Sequence, residues 1–282
     1  MFESRTRGHS AAAWTSCEVN VRAAAVTLPR IRTIDRRDRN WVAAQPSPAL
    51  WIPIVGAWLV FVIEQVSGNA ASLHHHALIE GSTPIAIATL TFLIAWSVMV
   101  VAMMWPASLH AAHVFTHGQQ DIARPTLAAI MFLGISAIVW LGFGLTAFIG
   151  DIGVHHVVDT TPWLAARPWL IEAGVLATAG AYQFTPLKRH YLAACRRPGD
   201  RAMSFEFQRS GAIGSGLRHG LECLGSSWAL MLVMFASGFA SLWLMAALTV
   251  LMVYEAVGRH GERAASVAGV VLVLSAVAAL SV

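Results

Sequence analysis

The chain has 282 residues, of which 56% are hydrophobic and only 12% are charged, and its formal net charge is +4. A soluble domain carries roughly 25% charged residues, so this composition excludes an ordinary soluble protein and favours one embedded in a lipid bilayer. The basic residues form no motif with interleaved aromatic residues of the kind that binds RNA or DNA, and we expect no nucleic-acid partner.

Residues 1–46 form a separate region that is rich in arginine. No apolar run within it is long enough to be the core of a signal peptide, and we expect a basic, disordered tail. Residues 47–282 are expected to form a single helical transmembrane domain.

Seven apolar runs follow the tail, each 16 to 23 residues long. A helix of about 20 residues crosses a hydrocarbon core of about 30 Å, so the runs predict an all-α, polytopic membrane protein of about seven transmembrane helices. The runs are Leu50–Val66, Ile85–Met104, Leu127–Ile149, Trp169–Thr185, Leu217–Ser237, Leu242–Val257 and Ala264–Val282.

The segments between the runs differ in charge. Eighteen of the nineteen lysine and arginine residues lie in the tail and in alternate segments, whereas the remaining segments contain only Arg167. By the positive-inside rule, this asymmetry predicts a cytoplasmic N-terminus and an outside C-terminus. We therefore expect a multi-pass membrane protein.

Four longer segments connect the spans. The loops Gly68–Pro84 and Asp151–Pro168 are expected outside. Inside, we expect a short amphipathic helix at Pro106–Pro125 and a basic connector at Pro186–Gly216, which ends in a flexible glycine-rich run.

The strongest pair of metal ligands is His219 and Cys223, which lie four residues apart and share one helix face. They are placed at the cytoplasmic end of the fifth span. Imidazole and thiolate groups bind Zn²⁺ or a soft ion such as Cu(I), so we expect a transition-metal site for copper or zinc. Cys195 and Glu255 are the expected third and fourth ligands. The alternative is that these residues only pack or reach toward water.

Histidine offers a second metal site. His110, His113 and His117 fall within an arc of about 60° on a helix, and three imidazoles on one face can form a site with an open position. Histidine is equally compatible with a helix at the level of the lipid headgroups. The consecutive His74–His76 in an outer loop are a weaker group.

Methionine is concentrated in the second and fifth spans, as Met99, Met103, Met104, Met231 and Met234. Thioether groups bind Cu(I), and Met103 and Met104 are secondary metal candidates. Methionine also fills gaps between packed helices, so these residues have a purely structural alternative.

Three stretches together resemble a widespread bacterial family that is described as predicted metal-binding integral membrane proteins of unknown function. They are Met99–Ser108, Ala181–Lys188 followed by Cys195–Pro198, and Gly216–Met231. The resemblance implies a polytopic helical membrane protein with a metal-related role. The residues it carries over are Met103, Met104, Tyr182, Gln183, Lys188, Cys195, Cys223 and Trp228.

The chain departs from that family at one place. Many members have a Cys-Cys pair just before the tryptophan, where this chain has Ser226 and Ser227. Hydroxyl groups are poor ligands for soft ions, so a site built on those thiols would be weaker here.

With the resemblance to a bacterial family, the sequence predicts a multi-pass protein of the bacterial inner (plasma) membrane that binds a transition metal near its cytoplasmic face. It would act in metal handling or in assembly of a membrane metalloprotein partner. No catalytic triad or zinc-protease motif is present, and we do not expect an enzyme. Two alternatives stay open. One is a small-solute or ion transporter with Tyr182, Gln183 and Thr185 along its pathway, and the other is a structural subunit of a membrane complex.

Overall fold

The computed structural model describes residues 48–67, 84–118, 122–196, 205–237 and 241–281. Within these ranges all regular secondary structure is helical, and no strand is present. The predicted tail at residues 1–46 and the histidines His74–His76 lie outside the described residues.

A 3₁₀ turn at Pro48–Leu50 precedes the α-helices of the described residues. In chain order these are α1 Trp51–Ser67, α2 Ile85–Gly118, α3 Pro125–Thr160, α4 Pro162–Ala165, α5 Trp169–Gln183, α6 Pro186–Arg196, α7 Phe205–Ser237, α8 Leu242–Val257 and α9 Gly261–Ala279.

Four stretches are long and apolar enough to cross a membrane: Pro48–Ser67, Ile85–His117, Pro125–Thr160 and Gly261–Ala279. Helix α8 is apolar but shorter. The all-helical fold class is therefore confirmed. The count of seven spans and the orientation of the two termini stay predictions.

The prediction of a separate amphipathic helix at Pro106–Pro125 is wrong. Helix α2 runs through Pro106 as one helix of 34 residues. Proline has no N–H, so the carbonyl of Ala102 loses the donor it would have four residues later. The indole of Trp58 in α1 donates a hydrogen bond to that carbonyl at 3.0 Å. A contact from another helix thus replaces the missing backbone bond.

Two other predicted loops also contain helix. The segment Asp151–Pro168 is helical as far as Thr160 and then forms the short α4. The glycine-rich run before the fifth span lies inside α7, which starts at Phe205 and is kinked at Gly211. Gly211 has a φ of +60°, a conformation that glycine adopts without steric cost.

Glycine residues allow the helices to approach closely. A Cβ at Gly216 would lie 2.6 Å from the carbonyl oxygen of Phe132, which brings α7 against α3. A Cβ at Gly144 in α3 would overlap the Trp96 indole, so this glycine makes room for that ring. The Trp96 indole then donates to the carbonyl of Trp140 at 2.8 Å. Small residues have this role at helix contacts in membranes.

The main buried core draws residues from α1, α2, α3, α7 and α8. Helices α5 and α9 form a second close pair, in which Gly180 faces the Gly269 carbonyl. The core is the part of the fold that positions the candidate site.

Candidate metal-binding site

His219 and Cys223 both lie in α7 and are buried, with 9% and 5% of their surfaces exposed. The Nε2 atom of His219 is 3.0 Å from the Ser108 hydroxyl, a hydrogen bond whose direction depends on the tautomer. The imidazole stacks on the Phe132 ring at 5.2 Å between centroids. The Cys223 thiol faces the same Ser108 hydroxyl and the indole of Trp140. The predicted pair therefore converges on one point of α2.

Met104 is the methionine closest in sequence to Ser108. It precedes Ser108 by four residues on α2 and so lies on the same helix face, and it is buried in the same core as Cys223. Met103 is also buried in that core, but it points about 100° away around the helix. Of the two methionines predicted as secondary ligands, Met104 is therefore on the face of the pair.

Glu255 is engaged elsewhere. Its Oε2 accepts a hydrogen bond from Lys188 Nζ at 2.6 Å, and 2% of Glu255 and 0% of Lys188 are exposed. Lys188 also donates to the carbonyl of Ser226 at 2.5 Å. The ammonium group thus joins α6, α7 and α8. Glu255 was predicted as a metal ligand, and no pattern in the sequence indicates this buried ion pair.

Cys195 lies near this ion pair, because Lys188 and Cys195 both contact Ser226. Its sulfur is 3.8 Å from the Ser226 hydroxyl, which in turn donates to the carbonyl of Cys223 at 2.9 Å. Cys195 is therefore linked to Cys223 through Ser226. Within the described parts of the chain, no three His, Cys, Asp or Glu side chains are grouped closely enough to hold a metal ion. The set of His219, Cys223, Cys195 and Glu255 stays a prediction.

Arg196 makes a structural contact beside the site that the sequence did not single out. Its guanidinium donates to the carbonyls of Glu255 and Gly258, both at 2.7 Å. These carbonyls lie at the C-terminal end of α8, where the helix leaves acceptors free and a cation is favourable. Gly261 leaves the necessary space, because a Cβ there would overlap the guanidinium. A basic residue just after Cys195 was the only local signal.

A family model described as PpoB2, copper chaperone, matches residues 93–279, which is more than half of the chain. The chain belongs to the PpoB2 copper chaperone family. The match confirms the metal-related part of the resemblance and points to copper, whereas zinc gains no comparable support. No curated protein and no solved structure matches the chain.

The donors around Ser108 suit the cargo of a copper chaperone. A thiol, a thioether and an imidazole are the ligand types that Cu(I) prefers. The Trp140 indole N–H is buried, and none of the described nitrogen or oxygen atoms accepts a hydrogen bond from it. This donor faces the Cys223 sulfur. An N–H close to a metal-bound sulfur atom is, in general, an outer contact that orients the ligand and tunes the metal.

The predicted histidine group of this PpoB2 family member lies further along α2. The His113 and His117 rings are 4.0 Å apart between centroids, and His110 lies close enough to His113 to interact electrostatically. His113 is buried and His117 is exposed. The Nδ1 atom of His117 is hydrogen bonded to the His113 carbonyl at 3.0 Å. The helical spacing thus brings these rings together at one end of α2.

Proposed function

We propose that this copper chaperone is an inner-membrane protein that binds Cu(I) through Cys223, His219 and Met104 and delivers it to a membrane metalloprotein. The observation that carries the proposal is the convergence of Cys223 and His219 on Ser108, one turn after Met104. Three soft or borderline donors from two helices suit Cu(I) as a cargo, because a low coordination number leaves room for an acceptor ligand.

The proposed membrane location is supported by the surface of the helices. On α9 the exposed side chains include Val267, Val270, Val271, Leu274 and Val277, each about half exposed. A water-soluble protein rarely exposes an apolar face of this extent. In the proposed topology α5, α7 and α8 cross the membrane together with the four longer apolar stretches.

The length of α2 supports the proposed position of the site near the cytoplasmic face. Its 34 residues correspond to about 51 Å at 1.5 Å per residue, which exceeds a hydrocarbon core of about 30 Å. Ser108 lies ten residues before the end of this helix at Gly118. The alternation of basic residues assigns this end to the cytoplasm, so the proposed site is within reach of cytoplasmic copper.

The proposal is tested by the copper content of detergent-purified protein after reconstitution with Cu(I). Wild type is expected to hold one Cu(I) that resists a desalting column, and Cys223→Ser is expected to hold less than a tenth of this amount. Cys195→Ser is the matched control, because this thiol lies on the far side of Ser226. Loss of copper from Cys195→Ser but not from Cys223→Ser would contradict the proposed site.

One observation favours a transporter as the second candidate function. Gln183 is buried, and neither atom of its amide has a hydrogen-bond partner among the described residues. An unpartnered amide in a buried position can serve a passing polar solute. This alternative predicts that wild-type protein in vesicles carries a solute and that Gln183→Leu does not. Copper binding without such flux would favour the chaperone.

A further inference from the structure

The methionine residues of this chain are concentrated in one buried cluster with Cys223. Of the eight methionines that the structure describes, seven are almost fully buried in the main core, and only Met131 faces outward, with 44% exposed. The seven, which we name the methionine column, are Met99, Met103 and Met104 in α2, Met231 and Met234 in α7, and Met245 and Met252 in α8.

The distribution of the other apolar residues argues against simple gap filling. The exposed large side chains of the described residues are mostly Val, Ile and Leu. Among the buried residues of the main core, only Val100, Leu230 and Leu248 are of these types, against seven methionines. The other Leu, Val and Ile residues that pack against this core are only partly buried. Packing alone would draw branched aliphatic side chains inward as readily as methionine. Thioethers are instead segregated to the interior.

The column extends along the helices away from Cys223. Met231 and Met234 follow Cys223 in α7 by about 12 Å and 17 Å at 1.5 Å per residue, and Met234 lies within about 20° of the Cys223 face. Met245 and Met252 are seven residues apart and share one face of α8. Since Met234 is near the end of α7 and Met245 is near the start of α8, thioethers occur from the level of Cys223 to the opposite end of the bundle.

We propose that the methionine column is a path along which Cu(I) passes from Cys223 across the membrane, to the end where α7 finishes and α8 begins. This inference rests on the proposed function, because Cu(I) on Cys223 is its starting point. Binding at Cys223 displaces the thiol proton to water, and the thiolate takes up a proton when copper leaves for the column. Each transfer between sulfur atoms breaks one Cu–S bond and forms another, copper stays in the +1 state, and no electron moves. A thioether is a neutral and weaker ligand than a thiolate, so the ion rests at Cys223 and moves quickly beyond it.

The path compensates for the cost of a charge in the membrane. A bare monovalent cation is strongly disfavoured in a low-dielectric interior. Soft sulfur ligands replace its hydration shell without adding charge of their own. The column therefore needs no acidic residue to balance the charge of the ion. Glu255, a buried acid of α8, is already paired with Lys188.

The test uses the full chain reconstituted in vesicles that enclose an impermeant Cu(I) chelator with a colour change, with Cu(I) kept reduced by ascorbate outside. The test variant is the triple substitution Met231→Leu, Met234→Leu and Met245→Leu, which conserves side-chain volume. Met131→Leu is the matched control. Wild type and control are expected to load the chelator, and the triple variant is expected to do so at least tenfold more slowly while still holding one Cu(I) at Cys223.

Wild-type loading rates in the triple variant would overturn the path. So would a wild-type protein that holds Cu(I) but never loads the chelator, and that result would leave the proposed copper site intact. A wild-type protein that binds no Cu(I) would overturn the proposed function itself. If the triple variant fails to fold, the single variants Met231→Leu and Met245→Leu are tested in its place. Slower loading of the chelator would support the path, and unchanged loading in both would overturn it.

Discussion

Lys188 and Glu255 form an ion pair with 2.6 Å between Nζ and Oε2, although they lie 67 residues apart and are almost completely buried. Removing one partner leaves the other charge buried without compensation, which costs about 3–5 kcal/mol. Lys188→Met is therefore expected to lower the unfolding free energy in detergent by about this amount. Lys188→Met combined with Glu255→Leu should recover most of the loss. If the double variant were less stable than either single one, the pair would not be the source of the effect.

Replacement of Trp58 tests how Pro106 is accommodated in α2. In Trp58→Phe the Ala102 carbonyl loses its only donor from α1, and an unsatisfied buried carbonyl costs about 1–3 kcal/mol. Addition of Pro106→Ala restores a backbone N–H four residues after Ala102. Trp58→Phe should then cost much less in the Pro106→Ala background, as measured by a double-mutant cycle of unfolding free energies. Equal costs in the two backgrounds would show that the indole bond does not compensate for proline.

Gly144 and Gly142 in α3 form a matched pair for a steric test. A Cβ at Gly144 would meet the Trp96 ring, whereas nothing lies within 4 Å of a Cβ at Gly142. Gly144→Ala is expected to displace Trp96 and destabilise the protein by about 1–3 kcal/mol, the usual cost of overpacking. Gly142→Ala should be neutral or stabilising, because alanine favours a helix by about 1 kcal/mol over glycine. Thermal unfolding monitored by tryptophan fluorescence measures both, and a similar loss in both variants would contradict the Trp96 contact.

The indole of Trp140 provides a test of the proposed copper site without removing a proposed ligand. Trp140→Phe deletes the N–H that faces Cys223 but keeps a large ring in place. Loss of such an outer contact typically weakens metal affinity by about 10–100-fold. Competition with a chelator of known Cu(I) affinity measures the change, with Trp163→Phe as the control because Trp163 is exposed. Equal Cu(I) affinities in the two variants would show that the Trp140 indole does not contribute to copper binding.

A gain of copper binding is expected where the chain departs from the family it resembles. The Ser226 hydroxyl is 3.8 Å from the sulfur of Cys195. Ser226→Cys places a second thiol beside Cys195, and two thiolates form a good site for a soft ion. The variant should hold one more Cu(I) than wild type by elemental analysis. Cys195→Ser in the Ser226→Cys background should remove the additional ion, and its persistence would locate it elsewhere.

Features set by local sequence were predicted well. The sixth predicted run, Leu242–Val257, coincides with α8, because Ser241 caps its first turn and Gly258 follows its last residue. The shared face of His219 and Cys223 follows from their spacing alone. Features that depend on distant residues were not predicted. The rule that proline ends a helix failed at Pro106, since Trp58 supplies the missing bond from 44 residues away.

In the candidate site, too, the local spacing was predicted and the contacts with distant residues were not. The spacing in α7 indicated two ligands, but nothing in it indicates that Ser108 and Trp140 meet them. Glu255 was assigned to the metal from its expected depth. Its partner in the structure, Lys188, was expected in a basic connector, and the packing of α6 against α7 and α8 buries it.

The hydrogen bond from Trp58 to Ala102 makes α1 part of the same folding unit as α2. The family match begins at residue 93, after α1 has ended at Ser67. The backbone of α2 nevertheless depends on an indole that α1 supplies. A shortened chain that starts at the family boundary would therefore lose a structural component of α2, and adding α1 back as a separate peptide that carries Trp58 should restore it.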